Sequence, residues 1–547
     1  MSINITYQLG KYQSDVDTGL QQLATDNVLA RIWEHDHTVW KSEPTEISNR
    51  LGWLRIAEVM RSEIGHMQTL KETLLTEGYT DVLLLGMGGS SLAPEVFSHT
   101  FKKTGGLRLQ ILDSTDPDMV LAREKSLDLS KTLCIVATKS GGTAETLSAF
   151  KYFYNRVSKA VGKRKSGEHF VAITDPGSKL VDIAKQYKFR EIFLNEPNIG
   201  GRYSALSFFG LLPAALSGVQ LPRLIANASD MSAACGPQTQ AQNNPAAVLG
   251  AVLGRFANSG MDKITFTASP AIADFPNWVE QLIAESTGKE GKGILPVVGE
   301  TLGIPKAYGD DRLFVHVQVG DDPTHRAALK ALANVGYPIV RIHLETIYDL
   351  GGQFLLWELA TAVAGYFLQI NPFDQPNVES AKVLARQMVT AYTENGELPA
   401  GEKTVPSAAA LTEFLSQSNP GDYVALQAYL HPTPEVEAAL SELRLEIRDT
   451  YKVATTLGFG PRFLHSTGQL HKGDRGNGLF IQLISDAAKD IPIPDEAGRA
   501  ASAMSFDTLK KSQALGDAQA LRDAGRRVIV FPVGNAPAEL IQALQSQ

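Results

Sequence analysis

The hydrophobic pattern changes character along the chain. Up to about residue 75, apolar residues recur at helical spacing: Leu20, Leu23, Val28, Ile32 and Trp33, then Leu51, Leu54, Ile56 and Met60. Residues 1–75 therefore read as an N-terminal helical segment. Short apolar runs then take over. Asp81-Val-Leu-Leu-Leu85 ends in Gly86-Met-Gly-Gly-Ser-Ser91, which predicts a buried strand, a glycine turn and a helix start. Further strands are expected at 107–113, 133–137, 169–174 and 192–194. Strands that alternate with helices imply a parallel sheet with helices on both faces.

The same alternation returns from about 240 to 385, with strands near 263–267, 313–317 and 339–343. Residues 394–404 hold Pro, Gly and Glu and read as a linker. Beyond it, strands are expected at 423–428, 478–484 and 527–532, with a helix over 435–451 between the first two. The organisation predicted is a helical segment over 1–75, an α/β domain over 76–235, a second over 236–395 and a C-terminal α/β segment over 396–547. The most apolar stretch, Phe354 to Ile370, is short for a bilayer and contains Glu358, so it reads as a buried helix.

The length of 547 residues suits three or four compact units. With 44% apolar and 20% charged residues the composition is that of a globular protein, which excludes a disordered or fibrous chain. The net charge of −8 argues against nucleic acid or an anionic membrane as a partner, so any anionic ligand must be held by local geometry. Two cysteines, Cys134 and Cys235, provide neither a disulfide framework nor a four-cysteine zinc site. Their sparing use fits a reducing cytoplasm, and the N-terminal residues show no signal-peptide pattern.

Two turns offer such local geometry. Each follows a strand and opens a helix, where unpaired backbone N–H groups and the helix dipole favour an anion. In the first, Gly88 and Gly89 permit close backbone approach, and Ser90 and Ser91 supply hydroxyls. In the second, Thr138, Ser140 and Thr143 supply hydroxyls beside Lys139. Neither is a Walker A motif, and Gly86-Met-Gly-Gly-Ser-Ser lacks the third glycine of a dinucleotide fingerprint. Either alone is an ordinary glycine turn; two with matching hydroxyls in one α/β unit point to an anion site.

The segments Gly86-Met-Gly-Gly-Ser-Ser-Leu-Ala-Pro94 and Thr138-Lys-Ser-Gly-Gly-Thr-Ala-Glu-Thr146 resemble the sugar-isomerase (SIS-type) domain of phosphoglucose isomerases. The resemblance continues in order through Asn198-Ile-Gly-Gly-Arg-Tyr-Ser204, Ala284-Glu-Ser-Thr-Gly-Lys289 and Asn371-Pro-Phe-Asp-Gln-Pro-Asn-Val-Glu-Ser-Ala-Lys382. It is closest to the isomerase portion of bifunctional transaldolase–phosphoglucose isomerase proteins, where it extends from near residue 1 to the C-terminus. It implies two SIS-type parallel-sheet domains and a C-terminal α/β segment.

The activity implied is aldose–ketose isomerisation of glucose 6-phosphate and fructose 6-phosphate through a cis-enediol(ate), as in glycolysis and gluconeogenesis. A partly desolvated carboxylate is a suitable base for moving a proton between C1 and C2, and Glu285 matches the family's base. Arg202 would stabilise the enediolate with its permanent, planar charge. Gly89, Ser90, Thr138, Lys139, Ser140, Thr143 and Gly201 would hold the phosphate, and Glu145 would lie near the substrate hydroxyls. Gln375 and Lys382 are seven residues apart, about two helical turns, and are expected on one helix face; Lys382 would donate to the ring oxygen or a neighbouring hydroxyl.

One departure matters. Most of the family has a histidine between the glutamate and the glutamine–lysine motifs, and it opens the sugar ring. Here that stretch, Val298 to Tyr308, has none. A comparable string comes later, His465-Ser-Thr-Gly-Gln-Leu-His471. Imidazole is a natural group for ring opening near neutral pH. The expectation is that the C-terminal segment folds back and supplies His471, with His465 the alternative.

No histidine or cysteine spacing suggests a metal site, and direct proton transfer needs no redox cofactor; neither metal nor nucleotide is expected. The family's habit implies a cytoplasmic homodimer. The alternatives are an isomerase of another phosphosugar, such as mannose 6-phosphate, and a non-catalytic phosphosugar-binding regulator. A regulator would keep the hydroxyl turns without needing Glu285, Arg202 and Lys382.

Overall fold

The computed structural model describes residues 4–102 and 105–545. Three parallel sheets carry the chain. The first has the strand order Arg108–Leu112, Asp81–Leu85, Thr132–Ala137, Phe170–Thr174, Glu191–Leu194. All its pairs are parallel. Asp81–Leu85 and Thr132–Ala137 are buried throughout, as strands covered on both faces must be. From Asp81–Leu85 the chain adds its next strand on one side and later strands on the other. Direction therefore reverses between Asp81–Leu85 and Thr132–Ala137. Helices leaving these strands go to opposite faces, which opens a crevice at their carboxyl ends. Both hydroxyl-rich turns lie there.

The second sheet orders Ile339–Leu344, Arg312–Val319, Lys263–Ala268 and Leu295–Val297 in parallel. Its outer edge is covered by Asn4–Gln8, antiparallel to Ile339–Leu344. This corrects the reading of residues 1–75 as purely helical. Alternating Asn4-Ile-Thr-Tyr-Gln8 has a strand's period of two; residues 1–3 lie outside the described residues. The helices that follow, Gln13–Thr25 and Val28–Trp33, are separated at Asn27, where φ is 51°. The apolar stretch forms the helix Leu350–Leu368, buried along its length apart from Tyr366. Burial pushes the Glu358 carboxyl well above its usual range, so the one acidic side chain there is carried neutral. Among the described residues, no helix is long and apolar enough to cross a membrane.

The third sheet orders Ala454–Phe459, Tyr423–Tyr429, Gly478–Ser485 and Arg527–Gly534, all parallel. The edge strand Ala454–Phe459 has no continuous apolar run, so the hydrophobic pattern does not reveal it. The helix over 435–451 is present as Pro434–Tyr451. The linker begins later than expected, because the helix Val378–Asn395 runs on to a left-handed Gly396.

The C-terminal segment folds back on the rest. Ile491, Ile493, Phe506 and Leu509 join the core of the first sheet. Tyr423, Leu470, Phe480 and Leu521 pack with Ala284, Leu295 and Val297. A buried ion pair reinforces the first contact: Lys510 reaches Asp116 at 3.0 Å, and Asp116 also caps the helix Pro117–Lys125.

Candidate active site

The crevice at the carboxyl ends of Asp81–Leu85 and Thr132–Ala137 encloses about 540 Å³. Gly89, Ser90, Thr138, Lys139, Ser140, Thr143 and Gly201 all line it. The glycines serve packing as well as ligand approach. A Cβ on Gly89 would lie 2.1 Å from the Gly201 carbonyl oxygen, and Gly88, at φ +54°, would meet the His465 carbonyl oxygen at 2.6 Å. Thr143 precedes the helix Ala144–Val161, and its hydroxyl shares a 2.8 Å hydrogen bond with that of Thr138. Lys139 donates to Asp175 and, at 2.8 Å, to the Pro197 carbonyl. Burial raises the Asp175 carboxyl above its usual range, against the pull of Lys139. Arg50 also lines the cavity, held by Glu46 at 2.9 Å. It stands between helices in no motif, so no local signal marks it.

Beside the cavity, Arg202 is buried, and four of its five N–H groups are engaged. Nε donates to the Ser286 hydroxyl at 2.7 Å and Nη1 to Gln375 Oε1 at 2.9 Å. Nη2 donates to the carbonyls of Pro372 and Asp374 at 2.7 and 2.9 Å. The same guanidinium lies 3.6 Å from the Glu285 carboxylate. Glu285 sits in the last turns of the helix Phe275–Thr287 and stays partly open to solvent. One turn earlier, Gln281 donates to Glu285 at 3.2 Å and to the His465 carbonyl at 2.7 Å.

Gln375 and Lys382 do not share a helix face. Gln375 lies before the helix Val378–Asn395 begins, because Pro376 keeps the preceding residue extended. This leaves Gln375 free to turn onto Arg202. Lys382 is on the exposed side of that helix, 3.8 Å from Glu379. Its charge still reaches Glu145 and helps hold that carboxyl down.

The histidines exchange places relative to expectation. His471 faces the interior of its own unit. Its ring is walled by Phe480, Phe463 and Tyr423 at 5.0, 6.1 and 6.4 Å, with Nδ1 on Gln427. Burial, with Lys472 and Arg526 adding to it, holds that imidazole well below its usual pKa. The reason is geometric. His471 lies on the short helix Gly468–Gly473, which presents Leu470 to Gly288 and turns His471 back toward the third sheet. His465, on the preceding turn Arg462–His465, turns instead toward the first sheet's unit and meets Glu145 at 2.8 Å. Glu145 is buried and also accepts from Gln513 at 2.7 Å. Burial pushes its carboxyl up, but His465, a backbone hydrogen bond and Lys382 together outweigh this and the net direction is down. Gln513 lies within the helix Phe506–Asp523, far from every motif, and only the docking of the C-terminal unit reveals it.

Lys289 closes the glutamate motif, yet its place there gives no sign of a role. It is buried and donates to the Asp374 carbonyl and carboxylate at 2.5 and 2.6 Å. Burial and the neighbouring Arg202 lower its pKa to about 8. The unfolded chain keeps this proton to about pH 10.5, so between 8 and 10.5 unfolding takes up a proton and stability rises with pH. The contribution is complete above 10.5 and lost as pH falls through 8. Denaturant midpoints of wild type and Lys289→Gln should therefore diverge in favour of wild type from pH 8 to 10, by on the order of 1–3 kcal/mol. A constant difference over that range contradicts this.

A parallel-sheet protein with a hydroxyl-lined cavity at its switch point, and a carboxylate and a guanidinium beside it, has the arrangement of the sugar-isomerase class. Residues 57–294 match the family model "Phosphoglucose isomerase". A glucose-6-phosphate isomerase of Rubrobacter xylanophilus is 30% identical over 388 residues, covering 60% of this chain and 87% of the relative. One from Prochlorococcus marinus is 29% identical over 361 residues, covering 59% and 68%. The chain belongs to the phosphoglucose isomerase family. The fold is shared with a hypothetical protein from Thermus thermophilus, at TM-score 0.61 and 24% identity over 71% of this chain and 99% of that one. It is shared too with a glucose-6-phosphate isomerase from Chlamydia trachomatis, at TM-score 0.51 and 20% identity over 72% and 89%.

Proposed function

We propose that this protein interconverts glucose 6-phosphate and fructose 6-phosphate by moving a proton between C1 and C2 through a cis-enediolate. The observation that carries this reading is the convergence of three elements on one crevice: the hydroxyl cavity, the Glu285–Arg202 pair and a histidine from the C-terminal unit. Ser90, Thr138, Ser140 and Thr143, with the N–H groups of both turns, hold the phosphate dianion; Gly89, Lys139 and Gly201 complete the cradle. Hydrogen bonds to a charged group are stronger than neutral ones, so short donors suffice in a chain of net charge −8.

His465 takes the ring-opening role expected of His471. Glu145, steadied by Gln513, orients its imidazole. Lys382, at the exposed rim, swings from Glu379 to the ring oxygen. Once the chain is open, Glu285 removes the C2 proton and returns it to C1. Arg202 faces the developing enediolate oxygens, held in place by Ser286, Gln375 and two backbone carbonyls. Preorganised charge of this kind costs no rearrangement at the moment of reaction. The same reading places the enzyme in a reducing cytoplasm as a homodimer, and buried free Cys134 and Cys235 fit the former.

Turnover of glucose 6-phosphate, fructose 6-phosphate and mannose 6-phosphate, each with inorganic phosphate as competitor, tests the assignment. The first two should interconvert fastest and phosphate should inhibit competitively. Faster turnover of mannose 6-phosphate would reassign the substrate. Binding of all three without turnover would make the protein a phosphosugar-binding regulator.

A further inference from the structure

We propose that Arg462 is a positioning residue for His465, clamping the turn that carries it onto the first domain; this rests on the reading of His465 as the ring-opening group. The turn Arg462–His465 is a single 3-10 turn after the strand Ala454–Phe459. So short a helix has no stability of its own, and its place is set by what it touches. Phe463 anchors it to the C-terminal unit, packing edge-to-face with Tyr429 at 5.4 Å between ring centroids.

Arg462 ties it to the other side of the crevice. Nη1 and Nη2 donate to the two Glu95 oxygens at 2.8 and 2.6 Å, and Nε donates to Asp113 at 2.6 Å. This uses the planar fork of a guanidinium as a lysine cannot. Burial opposes the charge of Arg462, but Asp113 and Glu95 outweigh it and hold the group firmly protonated. Arg123, whose charge also faces Asp113 and Glu95, balances the second carboxylate.

The clamp grips where the substrate binds. Glu95 is in the first turn of the helix Leu92–Thr100, which follows directly on the Gly88–Ser90 turn of the phosphate cradle. Asp113 directly follows the neighbouring strand Arg108–Leu112. One turn after Arg462, the His465 carbonyl rests against Gly88 and accepts from Gln281, which also holds Glu285. The ring-opening and proton-transfer groups are thus referenced to the same cradle, although these two groups and the cradle come from three separate parts of the chain. Without Arg462, the turn would keep the Phe463 packing and the Gln281 and Glu145 hydrogen bonds but lose its ion pairs to Glu95 and Asp113.

A double-mutant cycle separates positioning from plain stabilisation. Arg462→Gln, His465→Ala and the double variant are compared by kcat and KM on ring-closed glucose 6-phosphate. Affinity for an open-chain sugar-acid phosphate that mimics the enediolate is measured alongside. Arg462→Gln should lose about 10- to 100-fold in kcat, with KM and open-chain affinity little changed. The double variant should be no slower than His465→Ala alone, within about twofold. Glu95→Gln, which weakens the clamp from the other side without removing the guanidinium, should show the same lack of additivity; it serves if Arg462→Gln does not fold. Losses that multiply in the double variants, or that appear in open-chain affinity, would overturn the proposal. Wild-type turnover by His465→Ala would instead overturn the reading of His465 itself.

Discussion

Glu285→Gln is expected to lower kcat for both glucose 6-phosphate and fructose 6-phosphate by about 10²- to 10⁴-fold, the range for losing a general base. The substitution keeps size and shape. The new carboxamide oxygen can still accept from Gln281, so the helix Phe275–Thr287 need not move. What is lost is the capacity to take the C2 proton. The hydroxyl-lined cavity proposed to hold the phosphate is built around the first sheet, and Glu285 is not among its lining residues. Inhibition by inorganic phosphate should therefore be unchanged within about twofold. Near-normal turnover with intact phosphate binding would remove Glu285 from the base role. Loss of phosphate binding as well would show instead that the substitution disturbs the crevice.

Arg202→Lys should cost about 10²- to 10³-fold in kcat, the scale found when one preorganised oxyanion donor is removed. An ammonium keeps the charge but not the fork. It cannot reach Ser286, Gln375 and the carbonyls of Pro372 and Asp374 together. Buried acceptors left without donors cost about 1–3 kcal/mol each, so the variant should also melt earlier. The two effects separate by temperature. Assayed well below its own midpoint, the variant should remain slow on substrate while inorganic phosphate still binds. Recovery of activity on cooling would mean that Arg202 acts through stability alone.

Most of the architecture was legible because it follows from local rules. Apolar runs such as residues 82–85 and 133–137 announce strands covered on both faces, and the glycine–hydroxyl turns after them announce helix starts. The short edge elements were not legible. Asn4–Gln8 and Ala454–Phe459 have weak or mixed patterns, and partners far along the chain recruit them. In the site, Ser286 and Lys289 stood inside a recognised motif, and Gln281 one helical turn from Glu285. Arg50, Gln513 and Arg462 carried no such marker.

The chain by itself determined the repeated strand–helix alternation, the two hydroxyl turns and the motifs that single out Glu285 and Arg202 as candidates. Each of these depends on neighbours within a few residues. Only the tertiary structure decided which histidine meets Glu145. His465 and His471 lie six residues apart, each preceded by a leucine, on a 3-10 turn and the short helix that follows it. One faces the first domain and the other its own sheet, because Arg462 is held by Glu95 and Asp113 while Leu470 is seated against Gly288. Those contacts join residues hundreds of positions apart. No local period encodes them, since they arise only when separately formed units bury surface against one another.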